Sequence, residues 1–384
     1  MRFLHTSDWH LGRTFNTRSR YDEQVAFIDW FAAQAEALKV DGIFIAGDVY
    51  DRSAPSEESV DLLDSALRRL VEMCPVVLIS GNHDSSHRLA YGGWAFESAG
   101  LHVRSSLDMV DVPVIFTDDA GNDVAVYGIH YLDPDQNYRP LDVGRTHAQV
   151  LTAAMDKVRI DLVARPKARS VVLAHAFIAG GAESESERQI SVGGAAEAPI
   201  SVFDGVDYLA LGHLHRPQRV SSGGSHPVAY YSGSPLAYSF SEEHGKSILV
   251  VDVPPQGDVT VEAIAIPVGR PVATLTGTVD ELLGATNAQH RESWVRISYV
   301  NDSRLDDAFG RFEQCFPYLL ACERVIPGRA ENERDGRHVD PSVDAPIDVL
   351  RVFLEDVSED GVRPGDLEAL EDVINQVRRE AGVA

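Results

Sequence analysis

The chain has 384 residues, 44% of them hydrophobic and 24% charged, with a formal net charge of −25. These values belong to a globular chain of two or three domains and exclude a disordered or disulfide-stapled one. No apolar run is long enough to span a bilayer, no signal peptide opens the chain, and Cys74, Cys315 and Cys322 form no CxxC pair, so a cytoplasmic protein with reduced thiols is expected.

The first apolar run, 2–7, ends on Asp8-Trp9-His10. A helical stripe of Val25, Ile28, Phe31, Ala35 and Leu38 covers 21–38, and a second, with Val60, Leu63, Leu67 and Leu70, covers 56–71 behind a Pro55-Ser56 start. Between them the run 42–46 ends on Gly47-Asp48, and the run 75–80 then leads into Gly81-Asn82-His83-Asp84. Runs of this length bounded by turn residues read as buried strands, and their alternation with helices gives βαβ units and a largely parallel sheet. The stretches 110–116 and 123–129 flank Gly121-Asn122 and read as a β-hairpin, followed by His130, which is taken as structural in preference to substrate-facing. A helix is expected over 146–163. The run 170–174 ends on His175, and 207–211 leads into Gly212-His213-Leu214-His215. The Gly-, Ala-, Ser- and Glu-rich segment 180–199 reads as a surface loop, with a DNA-end or dimer contact as the alternative. Strands at 228–232, 247–253 and 260–266 finish a first domain, 1–268. Beyond a Pro- and Gly-containing boundary, 272–277, 279–283, 294–299, 305–316 and 321–326 read as β-α-β-α-β, a small α+β domain at 269–328. A polar linker, 329–345, leads to a tail, 346–384, with amphipathic helices at 346–354 and 364–381.

Five runs therefore end on metal-ligand residues. Parallel strands present their carboxyl ends on one edge, where ligands bind, so Asp8, His10, Asp48, Asn82, His175, His213 and His215 are expected to converge. Mixed oxygen and nitrogen ligands suit manganese, iron or zinc. Seven groups exceed what one ion needs but fit two ions about 3.5–4 Å apart with one bridging carboxylate. Asp48 is the natural bridge. Asp8, His10 and His215 then complete one ion, and Asn82, His175 and His213 the other. His83 is the candidate to protonate a leaving oxygen, with Asp84 holding its ring. Gly47, Gly81 and Gly212 stand where backbone turns or approaches closely.

Asp8-x-His10, Gly47-Asp48, Gly81-Asn82-His83-Asp84, His175 and Gly212-His213-x-His215, complete and in order, resemble the calcineurin-like metallophosphoesterases. Within that superfamily Thr6-Ser7-Asp8-Trp9-His10-Leu11-Gly12, Ser184-Glu185-Ser186-Glu187-Arg188 and Leu209–Gln218, together with Tyr231–Ser241, more closely resemble the SbcD nucleases. Asp51, where archaeal and eukaryotic relatives tend to carry His, agrees with the bacterial branch.

The resemblance implies two facing β-sheets flanked by helices, an α+β capping domain that steers DNA, and tail helices docked at the root of an SbcC-type coiled-coil ATPase. It also implies manganese dependence, a homodimer, and exonuclease action on double-stranded DNA ends with endonuclease action on hairpins and single strands. The acidic charge is awkward for such a substrate. Arg13, Arg18, Arg20, Arg52, Arg88 and Arg104 are candidates for a local phosphate track. The alternative activity is a small-molecule phosphodiesterase or phosphatase of the same superfamily.

Overall fold

Each run that ends on a candidate ligand is a strand, but the strands belong to two sheets instead of one. The computed structural model describes residues 1–187, 197–220, 227–301 and 307–325, with scattered helical positions at 347, 349–351, 365, 367, 369–370 and 373–374. In the first sheet, Arg2–Thr6, Gly42–Ala46, Val76–Ile79 and Leu101–Val103 run parallel, and Ser247–Asp252 and Thr260–Ala265 extend it antiparallel beside Arg2–Thr6. In the second, Asp123–Ile129, Arg169–His175, Tyr208–Gly212 and Val228–Tyr231 are parallel, with Val114–Thr117 and Gln218–Val220 antiparallel at the edges.

Residues alternate between two cores along these strands. Phe3, Phe44 and Val77 of the first sheet pack with Val126, Val171, Leu173 and Ala210 of the second, forming the layer between sheets. Leu4, Ile43, Ile45 and Leu78 face the other way, onto Phe27, Phe31, Leu63 and Leu70 of helices Tyr21–Leu38 and Glu57–Val71. Val172, Ala174, Leu209 and Leu211 meet Val150, Leu151, Ala154 and Val158 of helix His147–Val163. Helices thus cover the outer faces, and the strands, buried on both sides, read as continuous apolar runs. Ser56 and Thr146 accept from Ser59 N and Gln149 N, which places each just outside its helix as an N-cap.

The expected hairpin forms between Val114–Thr117 and Asp123–Ile129. Its first strand starts later than 110 because Leu107–Met109 is a 3-10 turn capped by the Ser106 hydroxyl. Short elements without an apolar period were not foreseen: helices Ser86–Leu89, Gly93–Phe96 and Pro134–Leu141, and the pair Thr14–Phe15 and Arg18–Ser19.

Past Arg270, strands Val272–Thr278, Trp294–Val300 and Leu319–Val325 form a third sheet, interleaved with helices Val279–Leu282 and Ala308–Glu313. Trp294 and Val272 pack on Phe15, Ala237 and Phe240. Arg20 lies buried in this seam, over the rings of Phe15 and Trp294, and is paired with Glu23. Described residues within 1–299 and 305–323 form one compact unit, and the rest a second. The linker expected over 329–345, most of the tail and 188–196 of the expected loop lie outside the described residues.

Candidate metal centre

The carboxyl ends of both sheets meet, and all seven predicted ligands come together there. Asp8 and His10 follow Arg2–Thr6, Asp48 follows Gly42–Ala46, and Asn82 follows Val76–Ile79. His175 ends its strand and His213 follows Tyr208–Gly212, so the second sheet supplies His175, His213 and His215 opposite the first sheet's Asp8, His10, Asp48 and Asn82. Asp8, His10, Asp48, His175, His213 and His215 are all buried, whereas Asn82 and His83 keep partial exposure on the open side.

The packing of the backbone is tight. Asp8, His10, Asp48 and His213 have φ of 55°, 46°, 49° and 108°. Left-handed backbone at non-glycine residues is uncommon and clusters at functional sites. Asp8 N donates to Gly47 O (2.9 Å) and His10 N to Asp48 O (3.0 Å), tying the first two loops together. His213 N donates to both Asp8 carboxylate oxygens at 3.1 Å, tying the second sheet to the first.

Two groupings emerge. Around one point, His10 Nε2 lies 3.1 Å from His215 Nε2 and 3.7 Å from Asp48 Oδ2. Around the other, Asn82 Oδ1 lies 2.9 Å from His175 Nε2 and 3.2 Å from His213 Nδ1, and Asp48 Oδ2 is 3.5 Å from His175 Nε2. Asp48 Oδ2 thus reaches both. One ligand atom from each of Asp8, His10 and His215 lies within 4.8 Å of the others, as for Asp8, Asp48 and His175 and for His10, Asp48 and His83.

The donor chemistry fits cations. His175 Nδ1 faces the Ala46 carbonyl oxygen at 2.9 Å, which only accepts, so Nδ1 carries the proton and Nε2 presents a lone pair. That lone pair faces Asn82 Oδ1, another acceptor. Burial lowers His175 and holds His10 and His213 well below the ordinary imidazole value, so these rings are neutral. Burial, then the neighbouring Asp48, pushes the Asp8 carboxyl well above the usual carboxylate range. Acceptors facing acceptors and carboxylates pressed together are stabilised by positive charge between them.

His83 and Asp84 differ from expectation. Asp84 does not hold the His83 ring. Its carboxylate accepts from Val49 N (3.1 Å), Tyr50 N (2.9 Å) and Gly81 N (2.9 Å), clamping the Asp48 and Asn82 loops together. Burial, then Asp48, moves the Asp84 carboxyl up to about 7 against these three donors. The His83 ring is held instead by the Asp51 carbonyl, 2.8 Å from Nδ1, and lies 4.7 Å from the His10 ring. His83 N donates to Asp48 Oδ1 at 2.8 Å.

Of the six arginines proposed as a phosphate track, Arg20 and Arg104 are 1% and 3% exposed and serve structure, Arg104 pairing with Glu97 at 2.6 Å. Arg13 remains at the rim, 3.6 Å from Asp51 and over the Tyr238 ring. Arg52 lies 3.6 Å from Asp51, and the Arg18, Arg52 and Arg88 side chains face solvent. His130 is buried, its ring lowered to about 4 by burial and then by His87.

The residues unforeseen here surround His215. Glu187 Oε1 accepts from His215 N at 2.6 Å, and Ser186 and Glu242 meet its Nδ1. Ser186 and Glu187 belong to a stretch that carries the resemblance, but the segment reads as a surface loop and gives them no role, and Glu242 belongs to no motif. Burial would raise Glu242, but Lys246 and His215 outweigh it and hold the carboxyl far below its usual value.

Residues 1–217 match the family model of the calcineurin-like phosphoesterases, a span that contains every predicted ligand. The chain belongs to the calcineurin-like phosphoesterase family. Members of this family are hydrolases that use divalent metal ions. A curated relative, the SbcD component of the nuclease SbcCD from Staphylococcus epidermidis, is 29% identical over 336 residues, covering 86% of this chain and 87% of that protein. Among solved structures, the calcineurin-like phosphoesterase YfkN of Bacillus subtilis is 14% identical with a TM-score of 0.37, covering 69% of this chain and 90% of its own. A dimetal phosphatase of Danio rerio is 13% identical with a TM-score of 0.38, covering 69% and 98%. Among the described residues, no helix of this phosphoesterase is long and apolar enough to cross a membrane.

Proposed function

We propose that this phosphoesterase is a metal-dependent DNA nuclease. It acts as an exonuclease on double-stranded ends and an endonuclease on hairpins and single strands, in DNA end processing and repair in the cytoplasm. The observation that carries this reading is the meeting of seven ligand side chains from two sheets, with His83 at the open side. Similarity to the SbcCD nuclease component of Staphylococcus epidermidis across 86% of the chain supports a polynucleotide substrate.

Asp8, His10, Asp48 and His215 would hold one divalent ion and Asp48, Asn82, His175 and His213 a second, manganese being the proposed metal. When bound, such a pair supplies Lewis-acid charge at the phosphoryl group and an acidified water. His83 supplies the proton. Its Nδ1–H is committed to the Asp51 carbonyl, so Nε2 of the imidazolium is the atom that hands a proton to the departing sugar oxygen. In hydrolysis a water oxygen bonds to phosphorus and releases a proton to solvent, the ester P–O bond breaks, and the His83 proton ends on the freed hydroxyl, His83 being reprotonated from solvent. Asp84 positions the loop that carries His83 and does not touch substrate. Arg13, at the rim, suits a phosphate of the same strand.

The third sheet is proposed as a capping domain at 269–328 that guides DNA, and the tail as the dock for an SbcC-type ATPase. Tyr91 and Trp94, 84% and 87% exposed just past the His83 loop, support a homodimer. The net charge of −25 favours a second reading, a small-molecule phosphodiesterase. Manganese-dependent cleavage of a hairpin DNA separates the two. The expected result is cleavage by the wild type, lost in His83→Ala and Asp48→Ala. Turnover of a bis-aryl phosphodiester without action on any DNA would replace the first reading by the second.

A further inference from the structure

The shell behind His215 has a defined hydrogen-bond direction. Ser186 Oγ lies 2.5 Å from Glu242 Oε1 and 2.6 Å from His215 Nδ1. Glu242 has no exposed side-chain surface and is ion-paired with Lys246, which itself is nearly buried, so it stands there as a carboxylate with no proton to give. The single Ser186 hydroxyl hydrogen therefore goes to Glu242, the strongest acceptor in reach, although Ser184 Oγ is also 3.1 Å away. With its hydrogen committed, Ser186 Oγ can only accept from the ring, which requires the proton of a neutral His215 to sit on Nδ1. Glu242 Oε1 is itself 3.3 Å from Nδ1 and favours the same tautomer. Nε2 is then a lone pair, and it faces His10 Nε2 at 3.1 Å, inside the cluster.

The anchor is rigid. Tyr238 N donates to Glu242 Oε1 at 3.1 Å, and Lys246 Nζ also donates to the His215 carbonyl at 3.1 Å, so the Lys246–Glu242 pair grips both ends of the His215 residue. Glu187 holds the His215 N–H from the same segment as Ser186. Glu242 and Lys246 lie beyond the 1–217 span of the family match.

We propose that Glu242, acting through Ser186, is a positioning residue that fixes the His215 tautomer and so sets the affinity of the ion held by Asp8, His10, Asp48 and His215. This rests on the two-ion reading of the site. Outer partners of ligating imidazoles of this kind are worth about 10–100-fold in metal affinity.

The test is titration of the metal-free, full-length protein with manganese chloride by isothermal calorimetry, alongside the melting temperature of each metal-free variant. Glu242→Gln keeps the shape but removes the charge that commits the serine hydrogen. It is expected to weaken one of the two manganese sites by about 10–100-fold and leave the other unchanged. Ser186→Ala, at a half-buried position, leaves the longer direct Glu242 contact and is expected to lose affinity at the same site, by less than about 10-fold. Ser186→Thr retains the hydroxyl and is expected to bind like wild type. Unchanged manganese affinity in Ser186→Ala, or a lowered melting temperature with both sites intact, would overturn the positioning role. Should Glu242→Gln fail to fold, the Ser186 pair decides alone. A wild type that binds fewer than two ions overturns the two-ion reading first, and this one with it.

Discussion

Replacing Gly212 with alanine would place a methyl carbon 1.9 Å from the carbonyl oxygen of Ala46 and 2.9 Å from His175 Nδ1. Real Cβ contacts essentially never fall below 3.0 Å, so the first sheet and the second must part by about 1 Å where their carboxyl ends meet. Ala46 is a backbone obstacle in a fully buried strand and cannot swing aside. Overpacking of this kind costs about 1–3 kcal/mol. The displaced carbonyl is also the one that faces His175 Nδ1 at 2.9 Å, and losing a buried hydrogen bond adds about 1–2 kcal/mol. The expected total, about 2–5 kcal/mol, corresponds to a fall in melting temperature of roughly 3–8 °C for a unit of this size. Calorimetric melting of the metal-free protein measures it, with Gly245→Ala as the control, since a Cβ there meets nothing within 4 Å. Manganese titration should show preferential loss at the site containing His175, whose ring orientation depends on that carbonyl. A Gly212→Ala protein that melts with the control and binds both ions would refute the close-approach argument.

Asp84→Asn should destabilise the protein by about 2–4 kcal/mol in urea unfolding, because an amide NH2 would face at least one of the three N–H donors that now meet a carboxylate; unchanged stability would mean the clamp is idle. His5 is fully buried between Tyr208 Oη and Leu211 O, and burial lowers its ring to about 3, so the unfolded chain takes up a proton between pH 6.5 and 3 that the folded chain refuses. Its contribution to stability is intact above pH 6.5 and declines as pH falls, by about 3 kcal/mol between pH 7.5 and 4.5, and this decline should be missing in His5→Gln. Arg20→Ala removes one of two cations at Glu23, leaving the Arg270 N–H at 2.6 Å and its guanidinium at 3.6 Å, and should cost about 1–3 kcal/mol, read as a shifted urea midpoint. His83→Ala should abolish cleavage with manganese stoichiometry near two; loss of both ions would show that His83, which lies within ligand distance of His10 and Asp48, serves as a ligand instead.

Much of the site could be read from the chain because its information is local. An apolar run of five residues that halts at Asp or His says where a strand ends and which side chain sits there. The helix 21–38 could be bounded to the residue for the same reason, since the stripe and the turn after it are contiguous in sequence. What stayed hidden is set by pairing over distance. Nothing near Arg2 announces that Asp252 lies beside it, or that Asp8 and His213 occupy different sheets. The partners of His215 come from 28 residues before it and 27 after. Adjacency of Asp84 to His83 in sequence suggests adjacency of their side chains, but the turn at Gly81 directs the Asp84 carboxylate at backbone 35 residues away.

The glycines show how the two kinds of information combine. Gly47 has φ of 92°, a turn requirement visible in sequence as Gly before Asp. Gly212 has no such φ, and is glycine because another strand's carbonyl occupies the space a Cβ would need. A Cβ at Gly47 would also stand 2.4 Å from His175 Nδ1, so the first glycine records a local conformation and a distant contact together, and the second a contact 166 residues away. Both limit how far apart the two sheets' candidate ligands stand. With Ala46 O touching both Gly212 and the His175 ring, the spacing between Asp48 on one sheet and His175 on the other is set by backbone contact. If these side chains hold the proposed ions, that backbone contact would preorganise the charge that phosphoester hydrolysis needs.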